Sequence, residues 1–245
     1  MLFTLMFGSY TFPNQTFEVV DLPINNGVSE DNIPRKQGAL IQTPYLKARK
    51  IKIKGTIHNN TRETAWTELM DLQAGLLAGE DKFYHRADRY IDCYTKKISP
   101  KFPEGTDKGV IILEIEMIAQ TPYFIAAGAS TSDAFDVIGD YNFNINGMGK
   151  AFEEPIIYIC ATGGTITDEI QLTNSTNGKS FAYRGTLGNG LTLEIDTKEV
   201  TVESNGADGL SQFEGDFLTI EAGSNAFEYE GFTGRLTIEH RSRWY

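Results

Sequence analysis

Only one stretch of this chain repeats its apolar residues at helical spacing; almost everything else alternates with the period of two that belongs to strands. Ala65, Trp66, Leu69, Leu72, Leu76 and Leu77 recur three and four apart and build one apolar stripe. Asn60 stands as N-cap with Glu63 three residues on, and Gly79 occupies the position just past the end. The spacing predicts a helix over 61–78 that buries Trp66 and its leucines. A lone amphipathic helix has no helical partner, so it must lie on a sheet.

Strands supply that sheet. In 47–55, Lys50, Lys52 and Lys54 point one way while Arg49, Ile51 and Ile53 point the other. Val110–Ile118 begins as an apolar run and then alternates, and 89–94 reads as a further strand. The span 95–109, rich in Lys, Pro and Gly, predicts an extended hairpin arm or loop between them. The apolar opening 1–7 lacks the basic flank and the length of a signal peptide and reads as a first strand.

Composition divides the chain. Residues 1–125 hold 15 basic and 15 acidic groups, whereas 126–245 hold 7 and 18, so the entire net charge of −11 lies in the second half. Glycine doubles there as well, from 8 to 16. The small, polar run 126–132 marks a boundary, giving a domain 1–127 and a domain 134–245. In the second, eight short strands are expected: 155–160, 169–173, 181–184, 191–196, 199–203, 217–220, 226–229 and 235–241. Glycine turns separate them, which describes an antiparallel sandwich or jelly roll. The fold class is mainly β: a sandwich or barrel-like first domain with one helix, then a β-sandwich.

The chemistry of catalysis is sparse. An acidic half binds phosphate backbone poorly, because that affinity comes from clustered Lys and Arg. No segment reaches the roughly 18 consecutive apolar residues of a membrane helix. Cys93 and Cys160 lie in different halves and read as two buried thiols of a protein made in a reducing cytoplasm. Gly178-Lys179-Ser180 approaches a phosphate loop, but Thr173 stands where its first glycine belongs, so a turn between strands is expected. His58, His85 and His240 are far apart, and neither cysteine sits in a Cys-x-x-Cys pair, so no metal or cofactor site is assigned. Glu114 and Glu116 share a strand face and Glu153-Glu154 precede Pro155; alternating glutamates are the ordinary wet face of a strand. Lys50, Lys52 and Lys54 suit either an acidic partner surface or a sheet edge guarded by lysines. Together with Lys96, Lys97, Lys101 and Lys108 on the arm, they are the candidate oligomer and partner contacts.

The order of features carries a resemblance. Phe7-Gly8, a segment ending Gln37-Gly38, the run Arg49–Ile57, one helix, a hairpin and Thr121-Pro122-Tyr123-Phe124 follow in turn. Then come Ile145-Asn146-Gly147, Pro155–Ile159, Ile170–Asn174, Gly190–Asp196, Asp216–Asn225 with its Gly-Ser-Asn, and a final Ile238–Tyr245. This order resembles the distal tail proteins of long-tailed phages with non-contractile tails. Thr121 replaces the acid with which that family's Pro-Tyr-Phe motif commonly begins.

The resemblance implies a non-enzymatic, cofactor-free hub with a galectin-like C-terminal sandwich. Such proteins form hexameric rings through their N-terminal domains at the virion tail tip, after synthesis in the cytoplasm of the host bacterium, from a phage or a prophage. They join the tail tube and tape-measure protein to the tail-associated fibre or lysin and to receptor-binding proteins. At this length the chain corresponds to the form without carbohydrate-binding insertions. A carbohydrate-binding or adhesion module is the rival reading, but residues 126–245 hold one His (His240) and one Trp (Trp244), too few for a galectin constellation. A hydrolase built on scattered carboxylates is the third.

Overall fold

The computed structural model describes residues 5–12, 17–23, 26–27, 30–32, 39–41, 45–104, 109–231 and 233–245. The chain divides into two compact units, 1–127 together with Tyr245, and 128–244.

The first unit is one antiparallel sheet with a helix on one face. Its strands are β1 (Met6–Phe7), β2 (Tyr10–Thr11), β3 (Phe17–Asp21), β8 (Arg49–Asn59), β9 (Glu80–Arg86), β10 (Arg89–Lys101), β11 (Gly109–Ala119) and β12 (Phe124–Ala126). Two short pairs, β4 (Asn26–Gly27) with β7 (Tyr45–Leu46) and β5 (Glu30–Asn32) with β6 (Ala39–Ile41), precede β8. The sheet order is β2-β1-β9-β10-β11-β8-β3, with β12 against the start of β10. Among the described residues β2 and β3 stand at the edges, so the sheet does not close into a barrel.

Helix α1 spans Arg62–Leu76. Thr61, rather than Asn60, is its N-cap, and its hydroxyl accepts the Thr64 N–H. The face it buries is Ala65, Leu69, Leu72 and Leu76, packed on Ile51, Ile53, Leu113 and Ile115 from β8 and β11. Trp66 and Leu77 were expected in that stripe. Instead Trp66 is 49% exposed and Leu77 61%. The buried positions fall at i, i+4, i+7 and i+11, and Trp66 lies one residue, about 100° of helix, away from them. Its ring packs on Phe102, centroids 5.3 Å apart. The stem of the 95–109 hairpin belongs to the sheet: Lys97–Lys101 pair with Ile112–Glu116, which pair in turn with β8.

The second unit is a sandwich of two antiparallel sheets. One runs β13 (Thr131–Val137), β23 (Gly234–His240), β15 (Ile156–Ala161), β18 (Thr192–Asp196), β19 (Thr201–Ser204) and β20 (Ala207–Asp208). The other runs β14 (Tyr141–Gly147), β22 (Gly223–Glu230), β16 (Ile170–Asn174), β17 (Lys179–Tyr183) and β21 (Phe213–Gly215). Their inward residues, among them Ile157, Leu172, Phe181, Leu193, Phe227 and Ile238, form one core. Seven of the eight expected strands are present within a few residues. The exception is 217–220, which makes a single bridge, Glu153 to Ile220. Side-chain amides hold that segment instead: Asn174 donates to the Thr219 carbonyl at 2.8 Å, Asn225 to the Glu221 carbonyl at 2.8 Å, and Asn225 Oδ1 accepts the Glu221 N–H.

Candidate functional site

The predicted contact lysines all lie in the first unit. Alternation on β8 turns Ile51 and Ile53 to the helix, so Lys50, Lys52 and Lys54 face the opposite side. On β10 a bulge between Thr95 and Lys97 resets the register and leaves Lys96 unpaired, after which Lys97 and Lys101 join the same outer face. Lys108 lies outside the described residues.

The structure brings these lysines against carboxylates, not into a basic stripe. Along one row of the sheet, Lys97, Glu116, Lys52 and Asp21 are register partners. In the next row they are Ser99, Glu114, Lys54 and Glu18. Farther along, Glu80 stands opposite Tyr94, whose hydroxyl donates to Glu80 Oε2 at 2.8 Å, and Ile118 stands opposite Lys50. Lys82 pairs with Asp92 and sits 4.7 Å from the Tyr90 ring centroid. Lys50, Lys52, Lys54, Lys82, Lys97 and Lys101 thus share a face with Glu18, Asp21, Glu80, Asp92, Glu114 and Glu116. Their charges cancel. Opposite charges directly across strands contribute a few tenths of a kcal/mol each. Glu114 and Glu116, weighed above as a catalytic pair, are cross-strand partners of Lys54 and Lys52.

Several stretches of this sheet have a strand on one side only among the described residues, and three of them concern the contact lysines or the sheet edges. They are β2, β3 and the Thr95–Lys101 part of β10, which extends beyond the end of β9. Lys96, Lys97, Pro100 and Lys101 occupy the last of these. Such residues both discourage indiscriminate strand pairing and leave the edge open to a shaped partner.

The remaining titratable groups are structural. His240, at the end of β23, is buried between two acids: Nδ1 lies 2.5 Å from Glu153 Oε2 and Nε2 lies 3.2 Å from Asp133 Oδ2, so the protonated ring can donate to both. Glu153 is fully buried and also accepts the Gly149 N–H. Burial alone would lower the pKa of His240, but the hydrogen bonds and charges of Glu153 and Asp133 outweigh it and raise the pKa. Cys93 is buried beside Met117 and its thiol is pushed up to about 12 by burial, whereas Cys160 is only partly buried. Gly178, with φ of +74°, turns the chain between β16 and β17, and Lys179 and Ser180 go into the ladder. No cluster of three or more His, Cys, Asp or Glu residues suited to a metal ion occurs among the described residues.

One group escaped sequence reasoning. Arg49, His85, Arg86 and Arg89 meet at the sheet end opposite the Lys101 hairpin, around a cleft. They come from three strands, and no spacing in the sequence links them.

Residues 148–244 match the family model of the siphovirus-type tail component, C-terminal domain. Over its whole length the chain has the fold of the Dit protein of phage SPP1, described as a paradigm of the hub adsorption apparatus in phages infecting Gram-positive bacteria. That likeness has a TM-score of 0.73 at 14% identity and covers 100% of both chains. A chain of the phage P2 baseplate, solved in its activated conformation with Ca, aligns over 98% of this chain and 91% of its own, at 11% identity and a TM-score of 0.44. No curated protein sequence gives a significant match. The likeness read from the order of residues therefore holds by sequence in the second unit and by fold throughout.

Proposed function

We propose that this chain is a non-enzymatic structural protein at the distal end of a long, non-contractile phage tail, where six copies close into a ring through their first units. The match of residues 148–244 to the siphovirus-type tail component carries this reading. The shared fold with a protein described as a hub supports it. On one side the ring meets the tail tube and tape-measure protein; on the other it meets a fibre or lysin and receptor-binding proteins.

The physical arrangement suits such a ring. A head-to-tail interface closes when its rotation divides the circle, and it needs two different surfaces on each copy. Among the described residues of the first unit, β3 and Thr95–Lys101 are distinct open edges. The six lysines and six carboxylates named on its outer face balance, which limits mutual repulsion between copies. The net −11 of residues 126–245 keeps the second units soluble and apart. Native mass spectrometry and negative-stain imaging at high protein concentration test the proposal. Six-copy species and annular particles are expected, and monomers alone would overturn it.

A further inference from the structure

Arg49, His85, Arg86 and Arg89 surround a cleft of about 270 Å³, completed among the described residues by Leu22, Phe124 and Tyr245. All belong to the first unit. Arg49 is 2% exposed, and its Nε and Nη1 have no hydrogen-bond partner. Its guanidinium lies over the Phe124 ring, 5.0 Å from the centroid. Parity explains this position: Arg49 points to the same side of β8 as Ile51 and Ile53, so a cation is carried into an apolar wall. A buried cation without a countercharge is costly, and proteins normally supply one. Asp88 Oδ2 sits 3.1 Å from Arg89 Nε, while Nε and Nη1 of Arg49 stay without a partner.

We propose that this cleft binds the carboxylate of an acidic peptide segment from a partner protein. Guanidiniums match carboxylates in shape and charge. Leu22, Phe124 and Tyr245 give an apolar lining for the methylenes of a Glu side chain and its neighbours, which a bare inorganic anion would not use. The surroundings agree: burial, then the charges of Arg86, Arg49 and Arg89, hold His85 below its ordinary pKa, and Asp88 opposes them only weakly. A carboxylate in the cleft reverses that field, so His85 becomes a built-in reporter. The inference goes beyond the ring reading and stands without it.

The test uses the full chain, a hexaglutamate peptide, a hexaglutamine peptide and inorganic phosphate, with calorimetry and NMR titration of the histidines. Hexaglutamate is expected to bind and to raise the titration midpoint of His85, while hexaglutamine does neither. The double variant Arg86→Ala/Arg89→Ala should weaken binding at least tenfold with its melting temperature unchanged. Arg86→Gln, at an exposed position, should weaken it several-fold and covers the case where the double variant fails to fold. Absence of hexaglutamate binding, or phosphate binding as tightly as the peptide, would overturn the proposal. So would self-association that Arg86→Gln abolishes while no peptide binds, which would make a second copy the occupant.

Discussion

Replacing His240 by Leu removes the cation from a site that nothing else can neutralise. Glu153 is fully buried, and its partners are His240, at 2.5 Å, and the Gly149 N–H, at 3.2 Å. Without the imidazolium, a buried carboxylate keeps one neutral donor. Breaking a buried pair in this way costs about 3–5 kcal/mol. At roughly 3 °C per kcal/mol for a domain of this size, the second unit should melt about 10–15 °C lower. The same pair sets a pH dependence. The folded pKa of His240 lies above the unfolded value of about 6.5. Its contribution is therefore complete below about pH 6.5 and fades as pH rises through the folded pKa. Calorimetry of the full chain between pH 6 and 9 should show the gap between wild type and His240→Leu narrowing as pH rises. Taking the difference between the two proteins removes other groups that titrate in this range. His240→Leu combined with Glu153→Met should recover much of the loss, because no charge is then stranded. A His240→Leu melt within about 1 kcal/mol of wild type, or a gap constant with pH, would refute the reasoning.

Four other outcomes follow from the first unit. Leu69→Ala should cost about 2–5 kcal/mol in denaturant unfolding, whereas Trp66→Ala should cost only about 1 kcal/mol, because it loses chiefly the Phe102 contact. Arg49→Met should raise stability by about 1–2 kcal/mol in the same assay, since relief of an uncompensated cation exceeds the lost contact with Phe124. Gly109→Ala should lower stability by about 1–3 kcal/mol, because the new Cβ would meet the Thr61 carbonyl at the start of the helix. Glu116→Lys should lower the melting temperature by a few degrees at low salt and less at high salt, because its cross-strand neighbours are Lys97 and Lys52.

Periodicity made the broad architecture readable in the residues. Strict alternation in Arg49–Lys54 set the faces of β8 correctly, and the leucines at 69, 72 and 76 placed the helix on the sheet. What failed was fine angle and long range. Trp66 is the largest apolar residue of the helix, yet a single step around the axis turned it outward. Phe217–Ile220 looked like a strand, but its Thr219 carbonyl accepts from the side chain of Asn174, a residue distant in sequence. The strand 131–137 was missed because Thr-Ser-Asp-Ala alternates too weakly to register. The lysines were read singly as a basic stripe; only the cross-strand register revealed that Glu116 and Glu114 stand opposite Lys52 and Lys54. The arginine cleft was invisible for the same reason, since register decides which strand ends meet.

The outer face of the first sheet, whose charges change sign from strand to strand, has a further physical consequence. Charges that alternate every strand, about 4.8 Å apart, produce a field of high multipole order, which decays within roughly that same spacing. Such a field vanishes well inside a Debye length of about 8 Å and cannot draw a partner in from solution. It acts only at contact, where a shift of one strand turns each attraction into a repulsion. A surface of this kind works as a vernier: it contributes little to how fast two molecules meet and much to the register in which they settle.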